Sequence, residues 1–184
     1  MPRRRSKRSR TSRKRSRKKS KLIEILSRIP PEILKKCLDK IRMSEKPLKS
    51  RQVKLFFDGG SRSNPGPAGC GWHIESLTEG FSEINGYLYL GHATNNEAEY
   101  QALINGLKCL ISNGQTLDVE VYGDSKLVIE QMKGNWKVKA QGLIPLWKEA
   151  QNLKKQFSRI EFHWIRRELN SKADALANQA IDNS

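Results

Sequence analysis

The stretch that decides the fold is residues 53–76, VKLFFDGGSRSNPGPAGCGWHIES. Its apolar first part predicts a strand from Val53 to Phe57, and its last part predicts a second strand from Ala68 to Ser76. Glycine and proline are concentrated between these strands, in Gly59-Gly60 and in Asn64-Pro65-Gly66-Pro67, which is typical of turns. Two strands separated by turns therefore begin the domain.

The residues beyond this stretch alternate between strand and helix patterns. The predicted elements are, in order, a strand at 81–92, a helix at 95–112, a strand at 117–122, helices at 125–132 and 144–157, a strand at 160–165 and a helix at 171–181. Three strands followed by alternating helices and strands predict an α/β domain. We expect a five-stranded mixed sheet flanked by helices, within residues 53–184.

Four acids stand at the ends of these predicted elements. Asp58 closes the first strand, Glu99 lies in the first turn of the first helix, Asp124 ends the fourth strand and Asp174 opens the last helix. Ligands of α/β sheets gather where strands end and helices begin, so these positions can converge. Carboxylates held close together need a cation, and oxygen ligands favour Mg²⁺ or Mn²⁺ over zinc.

Three of these acids also have a purely structural interpretation. Asp58 before two glycines could begin a turn, Asp124 could cap a helix, and Asp174 could close a capping box. Thr94-Asn95-Asn96-Glu97 is a good capping box by itself. This capping box assigns a capping role to Glu97 and leaves Glu99 without one.

Four segments together carry a family resemblance. They are Asp58-Gly59-Gly60-Ser61 with Asn64-Pro65-Gly66-Pro67-Ala68-Gly69, then Thr94-Asn95-Asn96-Glu97-Ala98-Glu99, then Gly123-Asp124-Ser125, then Asn170-Ser171-Lys172-Ala173-Asp174-Ala175-Leu176-Ala177. They resemble the four motifs of type 1 ribonuclease H, in the family's order and with each acid at the end of the expected element. The resemblance spans residues 53–181 and implies the ribonuclease H-like fold.

The resemblance also implies a reaction. The family hydrolyses the RNA strand of RNA–DNA hybrids with two metal ions, leaving 5′-phosphate and 3′-hydroxyl ends. Mg²⁺ is the expected metal, with Mn²⁺ as a substitute. By similarity, Asp58 bridges both ions, Asp174 shares the ion that holds the attacking water, and Glu99 and Asp124 complete the other.

Substrate contacts follow from the same resemblance. The 2′-hydroxyl is the group that distinguishes RNA from DNA, and the family reads it from the minor groove of the hybrid. The residues expected to contact the hybrid are Gly59, Ser61, Asn64, Asn95, Asn96 and Glu99. Helix capping is the alternative role for Asn95 and Asn96.

Two features depart from the best-known members of the family. The segment 165–170 before the last acid is short and lacks a histidine. It is similar to the shorter loop of archaeal and some bacterial members, in which an arginine stands near the site, so Arg166 and Arg167 are both candidates. His163 lies within a predicted strand and is not expected to act in catalysis. The family's basic protrusion is also missing, reduced here to residues 134–141.

The first part of the chain has a different composition from the rest. Residues 1–21 hold 13 of the 35 Lys and Arg residues and no acid, so we expect a disordered basic tail that serves nuclear import, nucleic-acid binding or both. Residues 22–52 predict a short helical extension and linker. They contain no aromatic residue, which argues against a base-stacking module.

Composition also limits the compartment and the partners. The three cysteines are widely spaced, which argues against a disulfide framework and a zinc ribbon and favours a reducing compartment. No apolar run approaches the length of a membrane span. We expect an intracellular monomer that contacts no membrane, in the nucleus of a eukaryotic cell or otherwise in the cytoplasm.

Two other functions stay open. The chain could act on double-stranded RNA, because the Asn-Pro-Gly and Asn-Asn motifs favour hybrid cleavage without excluding that substrate. It could also be a catalytically weak nucleic-acid-binding module. The presence of all four acids favours the enzyme, since a relative that only binds is expected to have lost at least one of them.

Overall fold

The computed structural model describes residues 51–76, 82–112 and 117–184. The predicted basic tail at 1–21 and nearly all of the extension at 22–52 lie outside the described residues. The predictions made for those two segments therefore stay predictions.

A five-stranded mixed sheet forms the centre of the domain, as the sequence predicts. Its strands are β1 (Arg51–Ser61), β2 (Gly66–Ser76), β3 (Ile84–Ala93), β4 (Leu117–Gly123) and β5 (Arg159–Trp164). They lie side by side in the order β3-β2-β1-β4-β5. Strand β2 is antiparallel to both of its neighbours, whereas β1, β4 and β5 run parallel to one another.

Four helices alternate with the later strands in the predicted order. They are α1 (Asn95–Ser112), α2 (Lys126–Lys133), α3 (Leu143–Lys154) and α4 (Ser171–Asp182), and a 3₁₀ turn at Arg167–Leu169 precedes α4. Of the helices in the described ranges, none has both the length and the apolar character needed to cross a bilayer. The order and type of every element predicted after residue 52 are confirmed.

The first strand is longer than predicted. Pairing with β2 continues beyond Asp58, since Gly60 lies opposite Gly69 and Ser61 opposite Ala68. Backbone pairing with β2 thus extends the strand through the glycine pair. Asp58 therefore lies inside β1, three residues before its end, and the prediction that it closes the strand was wrong.

One face of the sheet carries the hydrophobic core. Residues Val53, Leu55 and Phe57 alternate along β1 and are fully buried, as the two-residue period of a strand requires. Helix α1 lies against them, because Gly106 brings its backbone onto the Leu55 side chain. Burial of each side chain of this size contributes about 1.5–3 kcal/mol to the free energy of unfolding. This packing holds the start of α1 close to the middle of β1.

Helix α4 lies close against β2 and β1. A Cβ atom on Gly71 would lie 2.5 Å from the Ala177 nitrogen and 2.6 Å from the Ala173 oxygen, so only glycine permits this contact. Gly71 is also the residue opposite Asp58 in the sheet. The first turn of α4, which carries Asp174, is therefore held beside Asp58.

Candidate active site

The four acids singled out in the sequence meet in one cavity of about 260 Å³. One carboxylate oxygen from each of Asp58, Glu99 and Asp124 lies within 4.8 Å of the other two, and Asp174 lines the same cavity. Four elements that are far apart in sequence, β1, α1, the end of β4 and α4, each supply one carboxylate. The structure brings the predicted residues together, while their roles as metal ligands stay predictions.

Gly59 allows Asp58 and Glu99 to meet. A Cβ atom at this position would lie 2.1 Å from the Ala98 carbonyl carbon and 2.2 Å from the Glu99 nitrogen. The backbones of β1 and α1 touch there, and any side chain would separate them. The Gly59 N–H also donates to Asp58 Oδ1 over 2.9 Å, which orients this carboxylate.

Asp124 is held by a side chain that the sequence analysis did not single out. The Asn170 amide nitrogen donates to Asp124 Oδ1 over 3.0 Å and to the Phe57 carbonyl over 2.9 Å. Asn170 precedes α4 and is 1% exposed. It belongs to the fourth motif, yet its partners are distant in the chain, so local pattern alone could not identify its contacts.

Asp174 accepts from two side chains on opposite sides. Arg167 donates to its Oδ1 over 2.6 Å, and Asn178 donates to its Oδ2 over 2.9 Å. Asn170 stands at the N-cap of α4 without a side-chain capping bond. The carboxylate of Asp174 thus faces the cavity and its two donors rather than serving the capping box considered from the sequence.

Crowding perturbs the ionisation of the two most buried acids. Burial, followed by the nearby charges of Asp124 and Asp174, raises the pKa of Asp58 from 3.8 to about 7. Burial and the Asp58 charge raise the pKa of Glu99 well above its usual range. The Arg167 guanidinium, hydrogen-bonded to Asp174, has a raised pKa and keeps its positive charge. The cavity thus holds more acids than arginines.

The donor atoms fit a hard divalent cation. All four side chains offer oxygen, which Mg²⁺ and Mn²⁺ prefer. In addition, Glu99 Oε2 is buried and has no hydrogen-bond partner within the described ranges. A buried carboxylate oxygen without a partner is costly, and a bound cation would supply the missing interaction.

The predicted substrate-contacting residues divide into two groups. Gly59, Ser61 and Asn95 line the cavity. Asn64 lies at its margin, where its side-chain oxygen accepts from the Asn95 N–H over 3.2 Å. Asn96 is half-buried in the first turn of α1 and is not among the lining residues.

The capping box before α1 is confirmed. Glu97 Oε2 accepts from the Thr94 N–H over 2.8 Å, and Thr94 Oγ1 accepts from the Glu97 N–H over 3.3 Å. This reciprocal pair caps the helix. Glu97 is therefore engaged outside the cavity, while Glu99, two residues further on, lines it.

Of the two arginine candidates, Arg167 lines the cavity and Arg166 does not. Both side chains are exposed, but Arg167, which begins the 3₁₀ turn, forms an ion pair with Asp174. A further arginine, Arg62, also lines the cavity and forms an ion pair with Asp182. Sequence reasoning missed Arg62, which lies between the glycine pair and the Asn-Pro-Gly turn of the first motif.

The fold and the carboxylate-lined cavity define a ribonuclease H-like α/β domain, and comparison with known proteins agrees. The sequence profile of a family described as "Reverse transcriptase-like" matches residues 56–180. Ribonuclease HI of Halobacterium salinarum is 39% identical over 138 residues, covering 75% of this chain and 68% of that protein. The chain belongs to the type 1 ribonuclease H family.

A second relative extends the comparison, by sequence and by structure. The bifunctional protein Rv2228c of Mycobacterium tuberculosis is 47% identical over 131 residues, which cover 71% of this chain but 36% of that protein. The chain therefore spans about a third of the length of this relative. The structure of the N-terminal RNase H domain of Rv2228c superposes with a TM-score of 0.69 at 46% identity, covering 73% of this chain and 96% of that domain.

A solved complex is also similar. LC11-RNase H1, whose structure was determined in complex with an RNA/DNA hybrid, superposes with a TM-score of 0.66 at 38% identity. The superposition covers 71% of this chain and 97% of that protein.

Proposed function

We propose that this protein is an endonuclease that hydrolyses the RNA strand of RNA–DNA hybrids, giving 5′-phosphate and 3′-hydroxyl ends. The observation that carries the proposal is the convergence of Asp58, Glu99, Asp124 and Asp174 in one open cavity. Membership of the type 1 ribonuclease H family supports it, as does the hybrid bound by LC11-RNase H1.

The proposed cofactors are two Mg²⁺ ions, with Mn²⁺ as a substitute. When bound, such ions activate water and stabilise the charge that develops on the departing 3′ oxygen. Asp58 would contact both ions, Asp174 would share the ion on the water side, and Glu99 and Asp124 would hold the other. Their crowding supports this assignment, because carboxylates this close cannot all ionise without a cation.

The protein's own groups prepare the cavity for a phosphodiester. Arg167 provides a permanent positive charge beside Asp174, where it can contact a phosphate oxygen and offset the repulsion between the substrate and the acids. Ser61 and Asn95 line the same cavity and carry polar backbone and side-chain groups. Such groups can bind the 2′-hydroxyl that RNA has and DNA lacks.

Substrate affinity is proposed to depend on the basic tail. Residues 54–184 lack the family's basic protrusion, whereas residues 1–21 hold 13 basic residues. Phosphate neutralisation by such a segment is independent of sequence and weakens as salt rises. We propose that the tail tethers the hybrid while the cavity selects and cuts the RNA strand.

A cleavage assay on end-labelled duplexes tests the proposed function. The full chain is incubated with an RNA–DNA hybrid, double-stranded RNA and double-stranded DNA, with Mg²⁺ and with chelator. We expect internal cuts in the RNA strand of the hybrid that require Mg²⁺, and little or no cutting of double-stranded DNA. Binding without cleavage in Mg²⁺ or Mn²⁺ would instead support a nucleic-acid-binding module, and preferred cleavage of double-stranded RNA would replace the proposed substrate.

A further inference from the structure

Asn170 joins the strand that carries Asp58 to the side chain of Asp124. Its amide nitrogen donates to the carbonyl of Phe57, the residue before Asp58, and to Asp124 Oδ1, over 2.9 and 3.0 Å. The two acceptors belong to β1 and to the end of β4, while Asn170 itself leads into α4. One side chain therefore links three of the elements that supply the carboxylates.

The other end of the same amide has no partner. Asn170 Oδ1 is buried and accepts no hydrogen bond within the described ranges, although the residue is 1% exposed. An unpaired buried carbonyl costs stability. The orientation of the Asn170 side chain is consequently set by the two hydrogen bonds that its amide nitrogen donates.

The chemistry of the donor also matters. Asp174 is contacted by the cation of Arg167, which offsets part of its charge. The amide of Asn170 instead orients Asp124 while leaving its negative charge available for a metal ion, because an amide donates protons without carrying charge. Outer hydrogen bonds of this kind orient the groups that contact a metal.

We propose that Asn170 is a positioning residue that fixes the Asp124 carboxylate relative to Asp58 for metal binding. The inference rests on the proposed function for its kinetic consequences but not for its metal-binding consequence. Loss of the amide leaves Asp124 free to rotate and leaves the Phe57 carbonyl without this donor. The affinity for Mg²⁺ and the turnover should then fall, while the affinity for the hybrid is unchanged.

Two variants and a matched control test the inference in the full chain. Asn170→Asp keeps the size of the side chain and removes both donors, and Asn170→Ala removes the side chain. The control is Asn105→Ala, since the Asn105 amide donates over 2.8 Å to the Gln101 carbonyl within α1. Circular dichroism establishes that each variant is folded, and calorimetry measures Mg²⁺ affinity without substrate.

We expect both Asn170 variants to bind Mg²⁺ about 10–100-fold more weakly. Turnover at saturating hybrid should fall at a fixed low Mg²⁺ concentration and recover as Mg²⁺ is raised, while KM for the hybrid changes by less than about twofold. Asn105→Ala should match the wild type in all three measurements. A purely structural role would not be relieved by Mg²⁺.

Wild-type Mg²⁺ affinity in folded Asn170→Asp and Asn170→Ala would overturn the inference, and so would an equal loss in Asn105→Ala. If the wild type binds Mg²⁺ but cuts no hybrid, the proposed function fails on its own. In that case the calorimetric comparison still decides whether Asn170 positions Asp124.

Discussion

Replacing Asp58 by asparagine should abolish cleavage and at the same time stabilise the metal-free protein. Asp58 is 7% exposed, and one of its carboxylate oxygens lies within 4.8 Å of an oxygen of Glu99 and an oxygen of Asp124. Its pKa rises from 3.8 to about 7 in the folded protein, so its ionised form disfavours folding. Asparagine keeps the shape of the side chain and removes the charge.

The size of the effect follows from the shift in pKa. A rise from 3.8 to about 7 corresponds to about 4 kcal/mol, at about 1.4 kcal/mol per unit. Asparagine is itself a buried polar group, so we expect about 2–4 kcal/mol of net stabilisation. For a domain of this size that raises Tm by roughly 6–15 °C.

The dependence on pH has a definite sign. A carboxyl whose pKa is raised by folding costs no stability below its unfolded value of 3.8, and the full cost is reached above about pH 7. The difference in Tm between Asp58→Asn and the wild type should therefore be near zero at pH 4 and grow until about pH 7. Calorimetric scans in chelator across this range measure it.

Metal and a surface control complete the test. Saturating Mg²⁺ should raise the Tm of the wild type, because ligand binding stabilises the folded state, and should raise that of Asp58→Asn much less. Asp182→Asn removes an exposed partner of Arg62 and should change Tm by no more than a few degrees at any pH. A variant that is no more stable than the wild type at pH 8 without metal would refute the reasoning.

Three further predictions address neighbouring features. Glu99→Gln should abolish turnover while Glu97→Gln costs much less, since an amide can still serve the capping box; equal losses in a hybrid-cleavage assay would contradict the assignment. Arg167→Ala should lower kcat/KM by about tenfold or more and Arg166→Ala by less than about threefold, because only the former lines the cavity; steady-state kinetics of the pair decides between them. Deleting residues 1–21 should raise KM and flatten its salt dependence at unchanged kcat, and an unaltered salt slope would leave import as the function of the tail.

Most of this fold could be predicted from the sequence because the patterns that indicate its helices, strands and turns are local. Turn residues between 59 and 67 and the apolar period of α1 fix the order and type of the elements with no knowledge of distant contacts. The four acids could be identified because each lies within a short motif near the end of an element. The end of β1 was misplaced since Gly60 and Ser61 pair with β2 only through tertiary contact.

The remaining details depend on contacts between distant residues. Asn170 and Phe57 are 113 positions apart, and Arg62 and Asp182 are 120 positions apart. No local pattern predicts such pairs. The choice between Arg166 and Arg167 likewise depends on the bond that Arg167 donates to Asp174 across a 3₁₀ turn.

The position of α4 in the chain has a consequence for biosynthesis. A ribosome adds Asn170 and Asp174 after the other three acids of the cavity, and α4 lies directly against the glycines of β2. A nascent chain that has emerged only as far as β5 therefore holds Asp58, Glu99 and Asp124 without the helix that completes and covers the site. Hybrid cleavage should therefore begin only once α4 has left the ribosomal tunnel and packed on the sheet.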